Sequence, residues 1–451
     1  MEASPFSHPI RLAVAAVLSI SAVSACISAN AGPKGTVNDI VSGVNDRLYY
    51  RAPAAIWEEA LPLGNGRLGM MPDGGVSREH IVLNEISMWS GGESDYQNPD
   101  AAKSLPEIRR LLSEGKNAEA QEIMYEHFVT KKETYDPRYG CYQVLADLDI
   151  DFRYGTAASR SSASGDFADY VRDLSLADAV SHTRFTLDGT CYRREYFTSR
   201  DKDVFIVKLS ADGPGTLDFT ARLSREKDAE LRAEHGQAVL EGMLYSGNPD
   251  KDGVKFRTVM KAISDSGNCR ISKDGTIDVK GAKTAVLVLS AATSFSAEGT
   301  DFPGDKYRKV CDGKLDYAVS LLNGKRMEAA YKSMLDSHIR SHRDLYGRVR
   351  IQLPASVEDK LPTDVRLRNI EEGCLTPGLA ELYYNFGRYL LISSTRPGSL
   401  PPNLQGLWAN TTQTPWNGDY HTNINLQMNY WPMEQAGLQE LMQPLETLIY
   451  R

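Results

Sequence analysis

Closely paired cysteines are missing from this chain. Six cysteines are spread over 451 residues and none stands in a C-x-x-C pair. Zinc ribbons and disulfide frameworks both need thiols at regular short spacings, so neither is indicated. The five that follow Cys26 (Cys141, Cys191, Cys269, Cys311 and Cys374) are expected to be mostly free, buried thiols. A basic excess is missing too: the net charge is −8, which argues against a nucleic-acid partner. No apolar run after Ala25 is long enough to cross a bilayer. His338 and His342 have the spacing of a zincin pair, but Ile339 stands where that motif carries Glu. Their charged neighbours suggest a solvated helix face. They are read as surface or packing histidines, and neither a metal nor another cofactor is expected.

What is present suits a large soluble protein. Hydrophobic residues make up 41% and charged residues 24%, and the length allows two or three domains. Arg11 precedes Leu12–Ala25, a small-residue apolar run too short to span a membrane but suited to the core of a secretory signal. Val23-Ser24-Ala25-Cys26 resembles a bacterial lipobox, with Cys26 as the lipidated residue, while Ala29-Asn30-Ala31 offers an ordinary cleavage site. Residues 1–31 are therefore read as an export signal. The expected location is the periplasm or cell surface, with any membrane link confined to a lipid on Cys26.

From about residue 45 to 300 the patterning is that of strands: Gln143–Phe152, His182–Leu187, Cys191–Thr198, Val204–Ser210, Thr216–Leu223, Lys255–Ile263 and Thr284–Phe295. Asp188-Gly189 separates two alternating runs and predicts a tight hairpin turn. The expectation is an antiparallel β-sandwich, interrupted at Asp100–Phe128 by two short helices that Gly115 separates. Residues 301–360 carry helical periodicity at Tyr307–Leu322 and Arg326–Tyr346 and read as a helical linker. Residues 361–451 contain an apolar helix at Leu379–Ser393, a loop rich in Pro, Asn, Trp and Gly, and helical runs at Leu426–Leu438 and Leu441–Tyr450. So few helices cannot enclose a core of their own, and the last run lacks a C-cap signal, so truncation inside a larger helical domain is expected.

The loop PPNLQGLWANTTQTPWNGDYHTNINLQMNYW, residues 401–431, carries the most chemistry. Sugars are bound by aromatic faces and by planar amides that both donate and accept hydrogen bonds. Trp408, Trp416, Tyr420, Tyr430 and Trp431 could supply the first, and Asn403, Gln405, Asn423, Asn425 and Asn429 the second. In an extended segment His421, Asn423 and Asn425 would share one face. The alternative is an Asn-rich turn ahead of a helix, with the tryptophans as ordinary packing. Gly64-Asn65-Gly66 lacks the features of a phosphate-binding loop and reads as a tight β-turn.

Three strings carry a resemblance. DYHTNINLQMNYWP, together with IWEEALPLGNGRLGMM and IVLNEISMWSGG upstream, resembles the signature segments of glycoside hydrolase family 95, inverting α-L-fucosidases, over about Leu48 to Arg451. The resemblance implies an N-terminal β-supersandwich, a helical linker and the first helices of an (α/α)6 catalytic barrel. It implies a fucosylated oligosaccharide or glycan as partner, and terminal α-linked L-fucose released with inversion. It further implies that Asn423 and Asn425 hold the attacking water. The carboxylate that polarises an amide and the Glu general acid are expected beyond residue 451, so activity of the chain by itself is in question. By the same resemblance His421 contacts the sugar near C5 and favours L-fucose over L-galactose; from the loop's aromatic content, Trp408, Trp416 and Trp431 are the candidate sugar-stacking residues. An α-L-galactosidase of the same family and a non-catalytic glycan-binding lipoprotein are the alternatives.

Overall fold

The computed structural model describes residues 44–92, 97–129, 140–154, 167–248, 250–265, 268–295, 304–323 and 327–450. The export signal and Cys26 lie outside them. Among the described residues sixteen strands precede the last helices: β1 (Arg47–Tyr50), β2 (Leu63–Gly64), β3 (Leu68–Pro72), β4 (Arg78–Glu85), β5 (Ala146–Phe152), β6 (Ala168–Ser175), β7 (Val180–Leu187) and β8 (Thr190–Thr198). They continue with β9 (Phe205–Asp212), β10 (Leu217–Ser224), β11 (Ala229–Glu234), β12 (Gln237–Met243), β13 (Lys255–Ser264), β14 (Asn268–Ile271), β15 (Ile277–Ala282) and β16 (Thr284–Thr293). A nine-stranded sheet runs in the order β1-β6-β7-β8-β9-β16-β13-β12-β11 and a seven-stranded sheet in the order β14-β15-β10-β5-β4-β3-β2. Every paired neighbour is antiparallel.

Alternation explains the sandwich. In β5 the residues Ala146, Leu148, Ile150 and Phe152 are buried while Asp147, Asp149 and Asp151 face outward, so one face meets the core and one meets solvent. At β7–β8 the Asp188-Gly189 turn has φ of 47° and 71°, both left-handed, as a two-residue hairpin requires. Between the sheets, Arg194 of β8 pairs with Glu79 of β4, and the Tyr196 hydroxyl donates to the same carboxylate at 2.7 Å. Burial pushes the Glu79 carboxyl up, and the adjacent guanidinium favours its ionised form.

Two helices, α1 (Leu105–Ser113) and α2 (Asn117–His127), form the interruption, with Gly115 at φ 73° between them. After the strands come α3 (Lys306–Leu322) and α4 (Met327–Tyr346), which pack on the outer face of the nine-stranded sheet. That cover explains β16, which is buried on both faces: Leu287 and Leu289 point into the sandwich, Val286 and Val288 under the helices. It also overturns the solvated reading of His338 and His342. Both are fully buried beneath α4, their Nε2–H groups donating to the carbonyls of Ala179 at 3.1 Å and Leu176 at 2.8 Å. Burial holds the His338 imidazole down at about pKa 4 and His342 well below its usual range. Their neighbours in sequence are charged because only one stripe of the helix faces the sheet.

The chain then forms α5 (Thr363–Glu371), α6 (Pro377–Ser394), α7 (Asn425–Tyr430) and α8 (Gln443–Ile449). Leu379, Leu382, Tyr389, Ile392, Leu426 and Leu441 belong to the same buried cluster as the sandwich interior, so these helices share its core. Antiparallel sheets followed by helices are the arrangement expected. One helix is shorter than its periodicity suggests: α7 stops at Tyr430 rather than reaching Leu438, because Pro432 has no N–H to donate and its ring clashes with the preceding turn.

Candidate active-site loop

The loop between α6 and α7 is held from below by the sandwich. The Trp408 indole N–H donates to the Leu63 carbonyl at 2.8 Å, the Tyr142 hydroxyl to Leu407 at 2.6 Å, and the Asn84 amide to Ala409 at 2.8 Å. Tyr142 N–H donates to Asn417 at 2.9 Å, and the Thr414 hydroxyl returns to the Tyr142 carbonyl at 2.9 Å. Trp416, Asn417 and Gly418 adopt successive left-handed conformations (φ 48°, 58° and 60°), which turn the chain sharply ahead of Asp419. Behind it the Tyr420 ring lies 5.4 Å from Trp89, which lies 5.4 Å from Tyr142, so three aromatic rings fix the loop against the N-terminal motif.

The Gly64-Asn65-Gly66 turn is structural, as read. Asn65 is fully buried, its side-chain oxygen accepting from the N–H of Leu68 at 2.8 Å and its amide donating to Ser199 and Asp203. Gly66 donates to the Ser393 carbonyl at the end of α6, and a Cβ at Gly64 would stand 2.3 Å from that oxygen. The backbones approach too closely for any side chain.

On this base the expected site residues separate into two groups. Trp416 and Trp431 present their rings to solvent, 73% and 62% exposed, and Asn423 and Asn425 are exposed as well. Among the described residues no hydrogen bond occupies the side chain of either asparagine, so both amides are available to a ligand. His421 is half-buried, with Nε2 3.7 Å from Asp419, and has a left-handed φ of 42°. Burial raises the Asp419 carboxyl, and the His421 imidazole pulls it partly back.

Trp408 belongs to the other group. It is 7% exposed, packed with Met71, Val82, Ile86, Val144 and Leu407, and so is a support for the loop rather than an open stacking surface. Tyr430 and Tyr420 are likewise buried or packed, with the Tyr420 hydroxyl on the Pro401 carbonyl at 3.3 Å. The shared face of His421, Asn423 and Asn425 also needs correcting. The segment is a turn running into α7, with Ile424 at φ −162°, ψ −37° and Asn425 as the first helical residue, so a two-residue repeat does not apply. Asp419 was not singled out from the sequence, although its place two residues before His421 was a usable signal.

Comparison with known proteins bears on this site. Residues 48–298 match the family model described as "Glycosyl hydrolase family 65, N-terminal domain", and residues 330–451 match "Glycosyl hydrolase family 95 catalytic domain". "Alpha-L-fucosidase 2" of Arabidopsis thaliana is 31% identical over 88% of this chain and 48% of its own length. "Probable alpha-fucosidase A" of Aspergillus niger is 31% identical over 89% of this chain and 50% of its own length. The counterpart of the same name in Aspergillus oryzae is 29% identical over 87% and 53%. The chain thus spans about half the length of the curated relatives it matches.

Proposed function

Since the chain belongs to glycoside hydrolase family 95, we propose that it forms the substrate-facing part of an enzyme that hydrolyses terminal α-linked L-fucose from glycans, with inversion, outside the cytoplasm. The observation that carries the reading is the exposure of Trp416 and Asn423 on a loop pinned by buried contacts, and of Asn425 and Trp431 at the two ends of α7 that follows it, inside the region that matches the catalytic domain. A rigid loop with free amides and open indole faces is suited to a neutral sugar.

In the proposed reaction water attacks C1 of the fucose opposite the departing oxygen. The C1–O bond breaks, the leaving oxygen gains a proton, and the attacking water loses one. Asn423 and Asn425 orient that water through their amide oxygens. An amide oxygen is a weak base, and a carboxylate hydrogen-bonded to the amide NH₂ would raise its electron density. The leaving-group acid and this carboxylate are assigned to no residue of this chain. His421 lies against the C5 substituent and sets the preference for a methyl over a hydroxymethyl group.

The test compares the complete gene product on aryl α-L-fucoside and aryl α-L-galactoside. The fucoside should be preferred by up to about a hundredfold, the limit for one hydroxyl in such a pocket. His421→Thr should narrow that ratio. Fucose binding without release of either sugar would replace hydrolysis with the non-catalytic, glycan-binding reading. Export rests on Leu12–Cys26: labelled palmitate should enter the protein and be lost in Cys26→Ala, and a protein retained in the cytoplasm would refute this part.

A further inference from the structure

The outer face of the nine-stranded sheet is only partly covered. Beyond the first turn of α4 it opens into a groove of about 490 Å³, within the range of small-ligand sites, formed by β6, β7, β8 and β9. Its floor is charged and largely self-neutralising. Arg47 and His182 Nδ1 meet Asp173, the latter at 3.0 Å, and His182 Nε2 meets Glu195 at 3.3 Å. Lys208 pairs with Glu328 of α4 at 2.6 Å, and the Tyr331 hydroxyl donates to Glu195. Arg47, His182 and Lys208 are thereby matched by Asp173, Glu195 and Glu328. Burial lowers the His182 imidazole, but the two flanking carboxylates together outweigh it and push it up to about 9, so it is a cation at neutral pH.

Two cations remain. Arg184 and Arg193 line the same groove, are exposed, and stand directly opposite each other in the β7–β8 register. Among the described residues neither guanidinium has a carboxylate or hydrogen-bond partner. Like charges directly opposite on a ladder are destabilising, and a concave site concentrates their field. This local excess of positive charge stands on a chain whose net charge is −8.

We infer that this groove binds an anionic saccharide, with Arg184 and Arg193 gripping a sulfate ester or carboxylate on the sugar above the His182 bridge. The planar guanidinium matches either group with two parallel hydrogen bonds. That the anion is carried on a sugar rests on the glycosidase reading; the groove itself does not. The site would hold an acidic glycan by a second point, away from the loop that carries Asn423 and Asn425.

Calorimetric titration of the complete gene product tests this with three probes of equal length: a sulfated maltohexaose, an oligogalacturonate hexamer and plain maltohexaose. One or both charged probes should bind, their order naming sulfate or carboxylate, and maltohexaose should not. Arg184→Gln/Arg193→Gln should weaken the bound probe by about tenfold or more and flatten its salt dependence. Arg109→Gln/Lys251→Gln, which removes the same charge from exposed sites elsewhere, should not. Equal loss in both double variants, equal binding of maltohexaose, or no binding of either charged probe overturns the inference. Fucose release by the same proteins is read separately. Charged-probe binding without release sinks the hydrolase reading alone, and release without charged-probe binding sinks the groove alone.

Discussion

Gly418 joins the loop's backbone strain to its anchoring, and replacing it with alanine separates the two. Its φ of 60° is left-handed, and an added Cβ would stand 2.9 Å from Tyr142 Cβ and 3.1 Å from Thr414 Oγ1. Left-handed backbone costs a non-glycine residue about 1–2 kcal/mol. Forced overpacking adds about 1–3 kcal/mol, since Tyr142 Cβ is fixed to a backbone hydrogen-bonded to this same loop. Gly418→Ala should therefore lose about 2–5 kcal/mol locally, an increase in loop opening of roughly thirtyfold to several thousandfold. Gly115→Ala supplies the control: its φ of 73° is similar but no atom lies within 4 Å. It should cost only the backbone share, about fivefold for 1 kcal/mol. Amide hydrogen exchange, read on peptides spanning residues 403–421 and 105–120, measures both. Equal loss of protection in the two variants would show that Tyr142 does not hold the loop as described.

Other consequences follow from buried groups. Glu79→Leu or Arg194→Met alone should destabilise by about 3–5 kcal/mol, because each leaves an unpaired charge between the sheets. The double variant should unfold in urea closer to the parent than either single one; costs that simply add would refute the coupling. His338 and His342 make stability acid-sensitive. Above pH about 6.5 both states are neutral; below it the unfolded chain takes up protons that the native state refuses until about pH 4 for His338. Stability should fall across that window, by about 3 kcal/mol for His338, and His338→Gln should flatten the fall in urea midpoints. An unchanged slope in the variant would contradict the buried neutral imidazole.

The sandwich was legible because its signals are local. Alternation in β5 and the Asp188-Gly189 turn each depend on a few neighbouring residues, and both took the predicted form. The burial of His338 and His342 depends on which sheet lies beneath α4, which charged neighbours cannot report. Trp408 and Trp416 are eight positions apart in one loop, yet one is anchored under Leu63 and the other is open to solvent. Composition marked both as candidate sugar platforms; only the tertiary contact separates them. The segment His421–Asn425 was misjudged because a period of two presumes extended backbone, whereas His421 and Ile424 have turn geometry. The apparent lack of a core for the last helices had the same cause: their partners lie hundreds of residues away in the sandwich.

The central claim is that Asn423 and Asn425 hold the water that displaces α-linked fucose. Proton NMR of the complete gene product acting on an α-L-fucoside tests it most directly, with Asn423→Ala alongside. The account predicts that β-L-fucose appears first and that the variant is slower by about a hundredfold or more, as for loss of one preorganised polar group at a reacting centre. Initial appearance of α-L-fucose, or an Asn423→Ala variant as fast as the parent, would contradict it.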